Sequence, residues 1–554
     1  MDGKTGADVP WTTYEAKDGG IKGETLTSHD PGNVASEALS NSCVRLAATG
    51  DSVEWKIRAP ANAIVVRYSI PDAPAGGGAP GTLGLFINGE FRQQLDLNSH
   101  YAWLYGPGDN PQGNDPAQGS PHHFFDEVHA FLTGAPLREG DVVSLRNRAG
   151  DGVPWCVVDL IDLETVPPPA TMPEGSLSIA DFGAIADDGK DDTAAIEACM
   201  AQAKAQGKIV WFPPGTYDQQ HVLVLDGVAV RGAGPWYTRL TTLEIPTKEM
   251  GFKGNCGFYM TGSGSQVRDM MIEGVETSRA GPQQRALVGH PQNFLVENVW
   301  VEHTGTGAWL GPCAHGVIRR CRIRDTYADG INVNNCAQDI LVEQNHCRNT
   351  GDDGLAVFSA SDKGGLAGPC ADVEVRQNTV EAPWWANCLG LYGGRHIVAD
   401  KNLLRGGGTA CGVAVTTGYK ARATESMEVR DNDIVDCGVV RFKQHWGAIF
   451  IYASYSSITG LSFRGNRILH PLFDAVEIMG HAVDPTQPGN RIETELIDNE
   501  IVQPGKAFLF VRAKTEGSVR LRGNKITGLP EGQSAIVNQA SSASFKIEND
   551  GATP

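Results

Sequence analysis

Three aspartates carry the strongest chemical signal in the chain. Asp329 stands in Tyr327-Ala328-Asp329-Gly330-Ile331, and Asp353 in Gly351-Asp352-Asp353-Gly354-Leu355, 24 residues later. Both precede a glycine by one position, and Asp352 adds a third carboxylate beside them. If the backbone coils with a period near 24, Asp329 and Asp353 occupy equivalent places on adjacent coils. Three carboxylates within roughly 5–10 Å cannot all ionise freely, so at least one should hold its proton to a higher pH than usual. A protonated carboxyl beside an ionised one supplies both a proton donor and a base. An acid and a base ~6.5–9.5 Å apart across a glycosidic bond admit a water and give hydrolysis with inversion. Spacing alone leaves two other readings open. Asp-Gly is a common turn dipeptide, and clustered carboxylates are ligands for a hard cation such as calcium.

The elements that must position these residues show themselves as a repeat. An anchor of the form V-x-N-x-[IV], or a near variant, recurs at Asn298, Cys321, Asn345, Asn378, Asn402, Asn432, Asn466, Asn499 and Asn524. The steps are 23, 24, 33, 24, 30, 34, 33 and 25 residues, a short unit with occasional insertions. Gly307, Gly330 and Gly354 keep the same step ahead of short apolar runs. Each unit is β-rich and lacks an amphipathic helix. The short steps are below the ~40 residues of a propeller blade, and the leucine spacing of a leucine-rich repeat is absent. A right-handed parallel β-helix remains, its coils stacked at the strand spacing of ~4.8 Å. Inward asparagines, one per coil, can then form ladders that satisfy buried backbone groups. Glycine, 67 of 554 residues, is in excess because each coil must turn where left-handed backbone is needed.

Ahead of the repeat the pattern differs. Val53–Ile57, Ile64–Ile70, Leu83–Ile87, Asp141–Leu145 and Cys156–Ile161 read as strands separated by turn signals such as Asn88-Gly89. This predicts a β-sandwich over residues 1–166, a stiff linker over 167–176 opened by Pro167-Pro168-Pro169, and the β-helix over 177–554. One helix is expected from Asp192 or Thr193 to Gly207. The formal net charge of −19 argues against nucleic acid and anionic membrane as partners. No apolar run is long enough for a transmembrane helix, and the first residues lack the apolar stretch of a signal peptide. Twelve cysteines are too few for a disulfide scaffold. Cys313 and Cys336, like Cys388 and Cys411, are 23 apart and admit either a disulfide between coils or a ladder of buried free thiols. Cys43 and Cys156 admit a tie across the sandwich, and Cys321, at an anchor position, reads as a free core residue.

At these motifs the chain resembles a known group. Leu177-Ser178-Ile179-Ala180-Asp181-Phe182-Gly183-Ala184, followed by Asp187-Asp188-Gly189-Lys190-Asp191-Asp192-Thr193, looks like the opening of pectate-lyase-superfamily β-helices. Arg231-Gly232-Ala233-Gly234-Pro235-Trp236-Tyr237-Thr238, Ala328–Asn332 and Arg348–Ala356 together are similar to glycoside hydrolase family 87, the α-1,3-glucanases (mutanases) and mycodextranases. Tyr14-Glu15-Ala16, Asp51–Trp55 and Leu85–Gly89 extend the likeness to carbohydrate-binding-module-like β-sandwiches. The resemblance implies a secreted, inverting endo-α-1,3-glucanase whose three aspartates map onto Asp329, Asp352 and Asp353. Asp352 would be the general acid, while Asp329 and Asp353 activate water.

A sugar cleft needs aromatic platforms and hydrogen-bond donors. The coils flanking the aspartates supply Trp309, Trp384, Trp385, Tyr392, Trp446 and Tyr452, with His303 and His396 as donors. Modules related to the sandwich often hold a structural calcium near their chain ends, which here offers Glu15 and Asp159, with Lys17 weakening the site. No cofactor is expected for catalysis. The expected partner is an α-glucan, and the expected state a monomer. The alternatives are a calcium-dependent polysaccharide lyase on the same fold, a mycodextranase acting on mixed α-1,3/1,4-glucan, and a non-catalytic glycan-binding β-helix.

Overall fold

The protein is described from a computed structural model that covers residues 4–550, except 109, 244–247, 282, 361–367, 407–410, 442–443 and 481–489. The chain divides into two compact units, one of Asp8–Pro168 with Glu276–Gly281, the other of Met1–Ala7, Pro169–Val275 and Pro282–Pro554.

The smaller unit is an antiparallel β-sandwich of a six-stranded and a five-stranded sheet. Alternation along the strands puts Val53, Trp55, Val66, Leu83, Leu85, Val143, Leu145 and Val158 into one apolar core. Residues Glu276–Gly281 belong to this unit, where Ser278 Oγ and the Arg279 amide both donate to the Gln112 carbonyl at 2.8 Å. Sequence periodicity could not assign them, because they lie far along the chain from the sandwich strands.

The larger unit is a right-handed parallel β-helix. Each coil contributes one strand to a 12-stranded parallel sheet and as a rule two to a 24-stranded one. Ile331–Asn334, Gln338–Glu343 and His346–Arg348 form one such coil. The next coil pairs in register with Ile331 on Leu355, Ile340 on Val373 and His346 on Thr379. The helix Thr193–Gln206 ends at left-handed Gly207 and packs Ile196, Cys199, Met200 and Ala203 onto the apolar interior. The first described residues also belong to this unit. Thr5 Oγ1 donates to Asp433 at 2.7 Å, the Gly6 amide to the Lys401 carbonyl at 2.8 Å, and the Ala7 amide to Thr379 Oγ1 at 2.9 Å. These residues therefore run along the β-helix rather than starting the sandwich as expected.

The asparagine ladder is present. The Nδ2 of Asn345, Asn378, Asn402, Asn432, Asn466 and Asn499 each donates to the Oδ1 of the next asparagine, at 2.9–3.0 Å, ending on Asn524. The same oxygens accept the neighbouring backbone amides, as Asn378 Oδ1 does from the Asn345 amide at 2.9 Å. Cys321 stands where the ladder would begin, and its amide donates to Asn345 Oδ1. Asn298 is not a rung. It sits at a left-handed corner and donates to Asp269 at 2.7 Å.

All twelve cysteines are free thiols. The alternatives between coils fail by one residue: Ala314 pairs with Gln338, so Cys313 faces Ala337, and Cys336 lies one position out of register, while in the sandwich Cys156 pairs with Leu46, three positions from Cys43. Likewise Leu389 pairs with Val413, which sets Cys388 beside Gly412 rather than Cys411.

Candidate active site

The catalytic candidates sit on one corner, just ahead of the 12-stranded sheet. The Gly330 amide donates to the Asp353 carbonyl and the Gly354 amide to the Asn387 carbonyl, both at 2.9 Å. Asp329, Asp353 and Asn387 therefore stack on successive coils. Glycine follows each aspartate because the coils are packed tightly there. A Cβ at Gly330 would come within 2.4 Å of the Gly354 carbonyl, and one at Gly354 within 2.3 Å of Val380. Thr326 Oγ1 donates to the Ala328 carbonyl, and Thr350 Oγ1 to that of Asp352 at 3.1 Å, pinning both turns.

One oxygen from each of Asp329, Asp352 and Asp353 lies within 4.8 Å of the others. Asp329 and Asp353 are buried and Asp352 is half-buried. This is closer than the ~6.5–9.5 Å expected of an acid and base straddling a bond. The cause is plain in the fold: two of the three are chain neighbours, and the third is one strand spacing away.

Asp353 is held by three donors. Its Oδ1 accepts from the Asn387 amide at 3.1 Å and from Asn387 Nδ2 at 2.8 Å, and its Oδ2 accepts from the Tyr392 hydroxyl at 2.5 Å. Burial and, next, the charge of Asp352 push its pKa up to about 7, against which these donors act. The carboxylate lies directly over Gly390, where a Cβ would meet Oδ2 at 2.1 Å. Asp329 accepts from Asn332 Nδ2 at 3.1 Å, and Asn332 in turn accepts from Asn334.

Beside the corner, the outward face of the 12-stranded sheet forms a floor. Strand register aligns Trp309, Asn332, Ala356, Gly390, Ala414 and Phe450 in one column. Small residues lie next to the carboxylates and aromatic ones stand at either end. Trp309 is half-buried and faces outward, with the Arg285 guanidinium 5.3 Å from its ring centre. Burial lowers the pKa of Arg285, and the charge of Asp329 opposes that shift. Two coils past Gly390, Trp446 and Tyr452 flank Phe450, with ring centres 4.6 and 5.7 Å away.

Several expected cleft residues do other work. Trp384 is buried. Its Nε1 donates to the Thr326 carbonyl at 3.1 Å, and a Cβ on Gly351 would strike its ring at 2.3 Å, so it braces the aspartate turns from beneath. Trp385 is half-buried in the following bend. Tyr392 is buried and serves Asp353 instead of offering a platform. His396 lies on the strand Gly394–Asp400 of the 24-stranded sheet, exposed and 3.1 Å from Asp372, on a different face from the aspartates. His303 is buried at a left-handed corner against Glu273 at 3.3 Å, in a cluster with Glu302 separate from the triad. In the sandwich, Asp159 is fully buried. Arg67 donates to it, and it accepts the Leu39 amide at 3.1 Å. Glu15 lies 3.6 Å from Lys17.

Sequence reading missed Asn387, Gly390, Arg285 and Tyr419. The first two are the coil equivalents of Asp353 and Ala356, hidden by the insertion that stretches this step to 34 residues. Tyr419 is the most exposed large apolar side chain among the described residues, at 78%, and leans on Tyr392 with ring centres 6.2 Å apart.

Two family models match the chain: alpha-1,3-glucanase catalytic domain D1 over residues 8–166, and domain D2 over residues 189–441. The Agl-KA catalytic domain aligns with a TM-score of 0.88 at 26% identity, covering 99% of this chain and 98% of that one. The catalytic unit of a thermostable GH87 α-1,3-glucanase from Streptomyces thermodiastaticus strain HF3-3 gives 0.84 at 27% identity, covering 99% and 97%. A GH87 α-1,3-glucanase catalytic domain in complex with nigerose shares the fold at 23% identity and a TM-score of 0.80, covering 99% and 100%. No curated protein sequence matches the chain. The matches run from the sandwich through the coils that carry the aspartates, and the chain belongs to the α-1,3-glucanases of glycoside hydrolase family 87.

Proposed function

We propose that the protein is an endo-acting, inverting α-1,3-glucanase in which Asp352 is the general acid and Asp329 and Asp353 position and deprotonate the attacking water. The observation that carries this is the triad itself: three carboxylates within 4.8 Å on one corner, beside a floor of small residues, in a chain of this family. A water hydrogen-bonded to two carboxylate oxygens at ~2.7 Å each spans about 4.4 Å between them. Two of the three can therefore hold one water while the third faces the leaving oxygen. Asp352 is the most exposed of the three, which suits a group that must reach the glycosidic oxygen and return to water for reprotonation. Asp353 is fixed by three donors that favour its ionised form, which suits a base acting above the pH of about 7 at which it gives up its proton.

In the reaction, the Asp352 proton goes to the glycosidic oxygen as the C–O bond breaks. Water attacks the anomeric carbon and passes its proton to the Asp329–Asp353 pair. A 24%-identical GH87 α-1,3-glucanase catalytic domain has been solved with sugars bound in three variants, each with one aspartate replaced by alanine. Those aspartates are spaced 23 and 1 apart, as Asp329, Asp352 and Asp353 are. The expected substrate is a neutral α-1,3-glucan and the expected place of action extracellular.

The test is digestion of α-1,3-glucan, and of mixed α-1,3/1,4-glucan, by wild type and Asp352→Asn, with the first-formed anomer read by NMR. The β-anomer and a rate loss of at least ~10³ in the variant are expected. A variant of full activity sinks the acid assignment, and an α-anomer sinks inversion.

A further inference from the structure

The corner column that holds the catalytic aspartates continues past them. The Cys388 amide donates to Cys411, Ala448 to Asp474 and Ala475 to Ala507, each to the carbonyl at 3.0 Å, while Val413 pairs with Ile449. The column therefore reads Asp329, Asp353, Asn387, Cys411, Gly447, Asp474, Ala507. Asp474 repeats the device seen at Asp353: its Oδ1 accepts the next coil's amide, from Ala507 at 2.9 Å, as Asp353 accepts from Asn387. Four strand spacings separate the two aspartates, about 19 Å along the stack.

A cavity of about 400 Å³ opens at Asp474, within the size range of ligand pockets. Gln444, Lys506, Phe510, Gln533 and Gln539 line it with Asp474. Phe510 is half-buried and lies in the same outward column as the catalytic floor, through Gly390, Ala414, Phe450 and Glu477. The Trp446–Phe450–Tyr452 cluster stands midway between the two places.

The chemistry of the lining selects a ligand class. Its cations are already matched by acids. Arg512 pairs with buried Glu477 and donates to Gln444 Oε1 at 2.7 Å, while Lys506 donates to His445 and stands near the carboxylate of Asp474. An anion would find no surplus positive charge. Three primary amides, each able to donate and accept, suit vicinal hydroxyls, and one aromatic ring suits the apolar face of a pyranose. We propose that this pocket is a second glucan-binding site, which holds a distal stretch of the same chain that is cut at Asp329, Asp352 and Asp353. The proposal rests on the reading of those three as the hydrolytic site. It makes the enzyme favour long chains over short ones, as an endo-acting enzyme should.

The experiment compares wild type with Phe510→Ala and with Gln539→Trp, which fills the pocket mouth. Each acts on α-1,3-glucan and on an α-1,3-linked glucose tetrasaccharide too short to span both sites. KM for the polymer should rise about two- to tenfold in both variants, with tetrasaccharide turnover unchanged. Polymer KM within twofold of wild type in both variants, or equal losses on both substrates, overturns the proposal. The second arm titrates an α-1,3-linked glucose octasaccharide and the tetrasaccharide into the full chain carrying Asp352→Asn. Tighter octasaccharide binding that disappears on adding Phe510→Ala supports the pocket, and equal binding of the two refutes it. Hydrolysis of neither substrate by wild type would instead refute the hydrolytic reading, and the titration would still decide the pocket.

Discussion

Asp353 sits where a carboxylate is costly, and the cost can be read from thermal stability. The side chain is fully buried next to Asp352, which lifts its pKa from 3.8 to about 7. Below about pH 4 it is protonated in folded and unfolded chains alike and contributes no penalty. Between pH 4 and pH 7 the unfolded chain ionises it while the folded chain keeps the proton. Folded stability is therefore lost as pH rises through this window, and the loss is constant above it. Each pKa unit is 1.36 kcal/mol, so the full penalty is on the order of 4 kcal/mol.

Asp353→Asn removes that penalty and keeps the hydrogen bonds. The amide oxygen can still accept from Asn387 N and Nδ2, and the Tyr392 hydroxyl can turn to accept from the new amide nitrogen. A unit of roughly 390 residues unfolds with an entropy near ~0.8 kcal/mol/K, so 4 kcal/mol corresponds to about 5 °C in Tm. The variant should therefore melt with wild type at pH 4, about 5 °C above it at pH 8, and be hydrolytically dead. Calorimetry at the two pH values reads the difference. A gap that does not widen with pH, or a variant less stable than wild type at pH 8, would refute the account of Asp353 as a buried charge kept for chemistry.

Two further outcomes follow from the same contacts. Tyr392→Phe removes a donor that favours ionised Asp353, so the pKa of that carboxyl rises. Because a base must be ionised, activity is lost as pH falls, and the acid limb of kcat/KM should move up by about 1–2 pH units, read from the pH profile. Asn432→Ala strands the Asn402 amide, Asn402 Nδ2 and the Ala399 carbonyl inside the stack, and should cost about 3–6 kcal/mol in denaturant unfolding with kcat of the folded enzyme little changed.

What was legible in the sequence was whatever recurs with the coil. The asparagines that satisfy backbone groups must return on every turn, so a one-letter periodicity exposes the stack. The same register brings Asp329 beside Asp353. What was illegible depended on which side of which sheet a residue occupies. Trp384 and Trp309 are both aromatics in coils flanking the triad, yet one braces the turn from below and the other faces out. His396 keeps coil spacing but belongs to the other sheet. The cysteine pairs show how sharp this limit is: 23 residues in a 24-residue coil is a near match in sequence and one position out of register in space. Insertions did the remaining damage. The 34-residue step from Asp353 hid Asn387 and Gly390, the two residues that hold its carboxylate and make room for it. A repeat therefore announces where a site's backbone must lie, while the side chains that tune it come from the coils that break the period. The aspartate corner joins both kinds: Asp329 and Asp353 follow the rule, while Asn387 and Tyr392, reached through the irregular coil, oppose the burial and the Asp352 charge that make Asp353 hold its proton.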